Sequence, residues 1–161
     1  MKRFLLVMVA IIGAGLVAES VLAQSAASPA EQAIRPLMAR MGEAARARDV
    51  GAFMAFMLHG PGLVSAINGR VIRGWQALHT EQVKWWSRGQ GNSKYTSGGA
   101  PEFMALGPDV EIVTLQMIAQ YTQPDGKTVT SPFVVTDVWQ HLPQGWRIVY
   151  SHESWAKPRP D

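Results

Sequence analysis

Residues 128–155, TVTSPFVVTDVWQHLPQGWRIVYSHESW, decide the fold of this chain. Side chains alternate in character along Thr128–Leu142 and again along Trp146–Trp155, which is the period of a β-strand. Between the two runs, Pro143-Gln144-Gly145 has the composition of a tight turn. The stretch therefore predicts two consecutive antiparallel strands near the end of the chain.

The same alternation predicts which side chains share a face. Successive residues of a strand point to opposite sides of the sheet, so Asp137 and Trp139 lie together on the first strand. Ser151, Glu153 and Trp155 lie together on the second strand for the same reason. Ionisable groups on a sheet face are expected either at a solvated surface or inside a polar pocket.

Further strands are predicted upstream of this pair. Val110–Thr122 has the pattern of a long strand, and a less regular strand is expected within Tyr95–Leu106, so three or four strands finish the chain. Earlier, Leu63–Ile67 and Val71–Arg73 flank Asn68-Gly69, a pair that accepts positive φ and is typical of a β-hairpin.

Three helices are predicted before and between these strands. The first begins at Ser28-Pro29 and runs to about Arg48, because serine caps a helix and proline suits its first turn. Asp49 caps a second, short helix that passes through Phe53, Phe56 and Met57, and Trp75–Ser87 has the spacing of a third. Helices first and an antiparallel meander last predict an α+β fold, with helices on one face of a curved sheet.

The N-terminus has the pattern of a secretory signal peptide over residues 1–23. Lys2 and Arg3 precede the apolar run Phe4–Val17, and small residues lead to a cleavage site after Ala23. The run of about 14 residues is shorter than the roughly 20 that a membrane-spanning helix needs. The sequence thus predicts a periplasmic or secreted protein with no stable membrane insertion after cleavage.

Residues 24–29 are expected to form a flexible lead, residues 30–156 one domain and residues 157–161 a tail. Loss of the signal lowers the formal net charge from +3 to +2, which is not the charge of a nucleic-acid-binding protein. With no cysteine, no disulfide stabilises the exported chain. No glycine-rich phosphate loop or dinucleotide fingerprint occurs, and no cofactor is predicted.

Several motifs resemble the nuclear transport factor 2-like superfamily, and most closely its SnoaL-like branch with the association (hub) domain of calcium/calmodulin-dependent protein kinase. The similar segments are Gly69–Gly74, Ala119-Gln120-Tyr121, Thr136–Trp139 and Trp146–Ser154, and the resemblance extends over about residues 30–155. It implies a cone-shaped fold, in which three helices and a short hairpin pack on a strongly curved antiparallel sheet with a pocket at the wide end.

The resemblance also implies which residues line that pocket. The hub holds small carboxylates with a histidine of the third helix and three arginines of the meander, and these positions fall on His79, Met117, Asp137 and Glu153. Two arginines are thus replaced by acids, so the predicted ligand is a neutral or cationic small organic molecule. His79, Asp137 and Glu153 are the candidate catalytic groups. The candidate ligand-binding residues are Trp75, Trp86, Tyr95, Met117, Tyr121 and Trp139.

Three functions stay open at this point. The first is a passive small-molecule-binding protein, and the second is a cofactor-independent lyase, hydratase or isomerase-like enzyme that uses the same pocket for acid–base chemistry. The third is an oligomerisation module. In a purely structural alternative, Asp137 pairs with a cation such as Arg147, and His79 only completes a hydrogen-bond network. His79 and the two acids are an acceptable metal set, but no compact metal motif supports one, and no metal is predicted.

Neighbouring tryptophans at the end of the third helix bear on the oligomeric state. Trp85 and Trp86 must point in different directions, so one is expected in the pocket or core and the other at an interface or in solvent. Together with the resemblance, this predicts a homodimer that forms sheet to sheet.

Overall fold

The computed structural model of the protein describes residues 27–87, 94–122 and 126–156. The predicted signal peptide, the lead up to residue 26, and the tail at 157–161 lie outside these residues, as does the predicted connection around Gly89–Ser93. None of the helices in the described part is both long enough and apolar enough to cross a membrane.

The first two helices begin at the predicted caps. Helix α1 covers Pro29–Ala47, and the Ser28 hydroxyl accepts a hydrogen bond from the Glu31 backbone N–H at 2.9 Å. Helix α2 covers only Val50–Met54, with the Asp49 carboxylate accepting from the Ala52 N–H at 2.9 Å. The prediction that α2 passes through Phe56 and Met57 is wrong, because the chain leaves the helix to form a bridge from Met57 to the sheet.

The third helix and the first hairpin occur where the sequence predicts them. Helix α3 covers Trp75–Ser87, directly after strands β1, Val64–Ile67, and β2, Arg70–Arg73. At the hairpin turn, Asn68 and Gly69 have φ of 49° and 73°, the left-handed values that this residue pair accepts most easily.

Five strands follow α3. They are β3 Lys94–Ser97, β4 Glu102–Gly107, β5 Val110–Thr122, β6 Thr128–Leu142 and β7 Gly145–Trp155. The one irregular strand predicted within Tyr95–Leu106 is two strands, and both pair with β5. The break between them contains Gly98, where an added Cβ would lie 3.3 Å from the Gln116 carbonyl oxygen, and Pro101, which has no N–H to donate.

All seven strands form one sheet in the order β2-β1-β7-β6-β5-β3, with β4 also on β5. The pairs are antiparallel except that β1 runs parallel to β7, so the sheet is mostly rather than entirely antiparallel. Tyr150 pairs with Val138 and Ile148 with Trp139, which makes Val149 an extra residue in β7. Such a bulge increases the local bend of a strand pair.

The core lies between α1 and the concave face of this sheet. Its completely buried side chains include Ile34 of α1, Val113 of β5, Trp139 of β6 and Ile148 of β7. The predicted α+β class, with helices packed on a curved sheet, is confirmed.

Candidate functional site

A cavity of about 260 Å³ lies on the concave side of the sheet, enclosed by α1, α3 and strands β5 to β7. Its sheet wall is formed mainly by alternate residues of the paired strands β6 and β7, with Leu115 and Met117 of β5 beside them. In register, Asp137 lies opposite Ser151, Val135 opposite Glu153 and Phe133 opposite Trp155. Period-2 alternation thus places both predicted acids in one cavity.

The helical wall of the cavity is apolar and aromatic. Helix α1 contributes Met38, Met41 and Ala45, and α3 contributes one stripe of side chains. The stripe is Leu78, Gln82, Trp85 and Trp86. The Trp86 ring meets Phe53 of α2 edge to face, with the ring centroids 5.2 Å apart.

Asp137 is the most unusual group in the cavity wall. It is only 2% exposed, and burial raises its pKa to about 7. A hydrogen bond with Ser151 opposes that rise in pKa, and the negative charge of Glu153 adds to it. Within the described part of the chain, Oδ1 of Asp137 has no hydrogen-bond partner. The carboxyl therefore changes its charge near neutral pH and retains an unused acceptor.

Glu153 is held by the aromatic side of the cavity. The Trp155 indole Nε1–H donates a hydrogen bond to Glu153 Oε2 at 2.9 Å. The Trp155 ring stacks on Phe133 with centroids 4.0 Å apart and an interplanar angle of 1°, and Tyr95 meets Phe133 edge to face at 6.1 Å. Ring packing and a hydrogen bond together position this carboxyl beside Asp137.

The sequence matches no protein-family model and no curated protein. Solved structures, however, share its architecture. A nuclear transport factor 2-like (NTF2-like) protein of unknown function from Shewanella oneidensis superposes with a TM-score of 0.61 at 21% identity, over 76% of this chain and 97% of that one. This chain has the NTF2-like fold. The predicted superfamily fold is confirmed, whereas the SnoaL-like branch and the kinase hub stay predictions.

Two other solved structures with this fold have functional names. A proposed dehydratase of the NTF2-like family from Streptomyces avermitilis has a TM-score of 0.66 at 15% identity, over 76% of this chain and 93% of that one. A ketosteroid isomerase-like protein from Erwinia carotovora atroseptica has a TM-score of 0.62 at 15% identity, over 79% of this chain and 96% of that one. At such identities the likeness establishes the fold alone.

His79 does not line the cavity of this NTF2-like fold. Its ring stacks on Trp75 with centroids 4.8 Å apart, and His59 packs on Trp75 at 4.7 Å. The Trp75 Nε1–H donates to the Met54 carbonyl oxygen at 3.0 Å. The expectation that His79 shares a pocket with the acids is not met, because one residue beyond Leu78 a helix has turned by about 100°.

The other predicted ligand-binding residues divide equally. Trp86, Tyr95 and Met117 line the cavity, whereas Trp75, Tyr121 and Trp139 do not. Trp139 is completely buried in the core, and Tyr121 lies near the end of β5, where it pairs with Val129.

Two further expectations for this region are not met. Trp85 and Trp86 both line the cavity and both are half-buried, so the predicted division of the two rings between opposite sides does not occur. Asp137 interacts with Ser151 rather than with Arg147, whose guanidinium donates to the Trp146 carbonyl oxygen at 2.8 Å.

Sequence reasoning did not name most of the cavity lining as site residues, and Phe133, Ser151, Trp155 and Gln82 are examples. Period 2 already places Ser151 and Trp155 on one face with Glu153, although they were not named as ligand-binding, and it could also have found Phe133, four residues before Asp137 on the same strand face. Gln82 is buried one helical turn before Trp86, and the 3.6-residue period of α3 could have found it.

A wider groove of about 910 Å³ lies outside the sheet, between β2 and α3, and includes His59 and Trp75. Its lining contains Arg70, Arg73 and Glu81, of which Arg70 and Glu81 pair with each other at 3.6 Å. In the described part of the chain, no three metal-ligating side chains come together anywhere. The enclosed cavity with its buried acid is therefore the candidate functional site.

Proposed function

We propose that the protein binds a small organic molecule, neutral or cationic, in the cavity between α1, α3 and the sheet. One observation supports this above all: Asp137 is buried in the cavity wall with an acceptor oxygen that no described group satisfies. Buried polar atoms without a partner are rare in folded proteins, because each loses its hydrogen bonds to water. A ligand with a donor group would restore that bond after a small rotation of the carboxyl toward the cavity, and its apolar body would contact the methionine and aromatic walls.

A thermal-shift screen against neutral, cationic and anionic small molecules tests the proposal. A ligand that binds the folded state raises the melting temperature by mass action. Ala45→Phe fills the cavity from α1 and should abolish the shift, whereas Ala33→Phe, the same change at an exposed position of that helix, should preserve it. No shift with any class of compound, or an equal shift in Ala45→Phe, would contradict binding in this cavity.

A second candidate function is acid–base catalysis, as a lyase, hydratase or isomerase without a cofactor. The pKa of Asp137, about 7, favours it, because a group that titrates near neutral pH both accepts and returns a proton. Deuterium exchange next to the carbonyl of small cyclic ketones, followed by NMR, is a direct assay. The rate should rise with pH through about 7 and vanish in Asp137→Asn; exchange no faster than in buffer would rule out this base.

We also propose that the partner of the convex sheet face is a second copy of this chain. Met104, Ile112, Val138, Tyr150 and Val64 are consecutive register neighbours across that face, and Met104 is 59% exposed. These five side chains are uncharged, although the row continues from Val64 to Arg73 of β2, so two copies related by a two-fold axis would meet over the five without like-charge repulsion.

Sedimentation velocity tests this dimer. Tyr150→Lys should give monomers, because it places two lysines at the interface, whereas Val83→Lys, at an exposed apolar position of α3 outside the face, should not. A wild-type protein that is monomeric at micromolar concentration would contradict the proposal.

Export to the periplasm or medium remains a proposal based on the signal pattern of residues 1–23. The intact mass of the protein recovered from the periplasm tests it. We expect a chain that begins at Gln24; an uncleaved chain in the cytoplasm would contradict export.

A further inference from the structure

We propose that the ligand of the cavity is a protonated amine with an apolar body, whose ammonium group binds between Asp137 and Glu153 among the aromatic rings. This inference rests on the proposed binding function and specifies the chemistry of the ligand. Its basis is the combination of a cavity on the sheet, two carboxyls in one wall of it and a buried acceptor without a donor in the described structure.

Among the described residues of the cavity wall, the charged side chains are both acids. Among the described residues that line the cavity, those that titrate are Asp137, Glu153 and Tyr95, and none is a lysine, arginine or histidine. Beside the larger effect of burial, the negative charge of Glu153 raises the pKa of Asp137, as expected for two carboxyls in one wall. A cation between them would replace their mutual repulsion with two attractions.

Hydrogen bonding favours an amine over a cation without N–H groups. Asp137 Oδ1 lacks a donor in the described structure, and an ammonium group has donors to supply. Since Asp137 pairs with Ser151 and Glu153 with Val135, the two acids are diagonal neighbours on adjacent strands, whose Cα atoms are typically roughly 7–8 Å apart. That spacing leaves room for one nitrogen between the two carboxyl groups.

The rings of the cavity suit the same cation and its apolar body. Six aromatic side chains line it. They are Phe53, Trp85, Trp86, Tyr95, Phe133 and Trp155. Aromatic rings attract ammonium groups electrostatically, and the attraction strengthens where water is excluded. Trp155 also donates a hydrogen bond to Glu153, which links this acid directly to the aromatic rings of the cavity.

Calorimetric titration with four probes that share one ring system tests the head-group preference. Tryptamine is cationic, tryptophol and 3-ethylindole are neutral, and indole-3-propionate is anionic. We expect tryptamine to bind about tenfold or more tightly than tryptophol, and the anion to bind most weakly. Equal or tighter binding of a neutral probe would overturn the inference. If the broad screen finds neutral ligands while amines show no preference, the amine inference fails and the proposed binding function stands.

Two conservative variants test the position of the nitrogen. Asp137→Asn and Glu153→Gln should each weaken tryptamine binding about tenfold or more and leave 3-ethylindole binding unchanged. Glu102→Gln, which removes an exposed acid of β4, should change neither. Unchanged tryptamine affinity in both cavity variants would overturn the proposed position.

Proton linkage gives an independent readout. A bound cation lowers the pKa of Asp137, so tryptamine binding should release protons near pH 7 and tighten between pH 6 and pH 8. The other titratable groups that face Asp137 from the described cavity wall are Glu153 and Tyr95. The release should disappear in Asp137→Asn; proton uptake by the wild-type protein would overturn the inference.

Discussion

Strands β5, β6 and β7 have a filled end and an open end on the same concave face. At the filled end, Val113, Trp139 and Ile148 are completely buried against α1. At the open end, Met117, Phe133 and the side chains around them surround a cavity of about 260 Å³. One sheet therefore supplies both the stability of the domain and a space that its own side chains leave unfilled, and mutations at the two ends should have different consequences.

Each end also contains a buried acid. Asp137 is 2% exposed and faces the cavity, whereas Glu111, 1% exposed, pairs with Trp139 at the filled end. Burial raises the pKa of both carboxyls, and each has one oxygen without a described partner. Burial alone thus does not mark a functional acid; access to an enclosed space distinguishes Asp137 from Glu111.

Truncation of a tryptophan at each end is expected to give the largest difference. Trp139→Ala should lower the free energy of unfolding by about 3–5 kcal/mol, because it opens a void in a close-packed core. Trp86→Ala should cost less, about 1–2 kcal/mol, because Trp86 is half-buried beside an existing cavity. Urea unfolding followed by circular dichroism measures both. Equal losses would show that the cavity end is packed as tightly as the core.

The pH dependence of stability should be the next largest effect. The pKa of Asp137 is about 7 in the folded chain and has a reference value of 3.8. Ionisation of Asp137 is therefore less favourable in the folded state than in the unfolded state. The free energy of unfolding falls as the pH rises from the reference pKa to the pKa of the folded chain. The contribution of this group between pH 5 and pH 8 is a loss of about 2–3 kcal/mol.

Asp137→Asn isolates that contribution, because the amide does not titrate. Urea unfolding of the wild type and the variant at pH 5 and pH 8 gives four free energies. We expect the wild type to lose more stability than Asp137→Asn over this interval. Parallel losses in the two proteins would mean that Asp137 is already ionised at pH 5.

Removal of one hydroxyl should have a smaller effect, confined to high pH. The hydrogen bond with Ser151 favours the ionised form of Asp137, so Ser151→Ala should cost about 1–2 kcal/mol more at pH 8 than at pH 5. Ser65→Ala is a matched control, because Ser65 is also buried in the cavity wall and pairs with Ser151 in register. If both variants show the same pH dependence, Ser151 has no special role.

Much of the fold could be predicted from local patterns, and the exceptions have physical reasons. The hairpin at Asn68-Gly69 and the alternation of β6 and β7 depend on neighbouring residues, which the sequence displays directly. The division of β3 from β4 instead depends on how closely Gly98 approaches Gln116, and the parallel pairing of β1 with β7 joins residues far apart in the chain. Neither relation has a local sequence signal.

Site residues could be predicted only where the direction of a side chain follows from the geometry of a single strand or helix. Asp137 and Glu153 share the cavity because alternation within each strand and the pairing between the strands agree. His79 was placed by resemblance, which does not determine the rotation of α3 relative to the sheet, and its ring lies against Trp75. The rotation of a packed helix results from its contacts over the whole face, and single positions do not reveal it.

Glu111→Gln should have the smallest effect and tests most directly whether the two buried acids differ in function. Removal of the charge should raise stability slightly at pH 8 and much less at acid pH, because burial and the nearby negative charge of Glu31 raise the pKa of Glu111. Tryptamine affinity should stay within about twofold of wild type, whereas Asp137→Asn should lose about tenfold. If Glu111→Gln and Asp137→Asn weaken tryptamine binding equally, Asp137 affects binding through the stability of the fold rather than through direct contact with the ligand. Unequal losses at similar stability would instead mean that the open end of the sheet determines binding while the filled end maintains the fold.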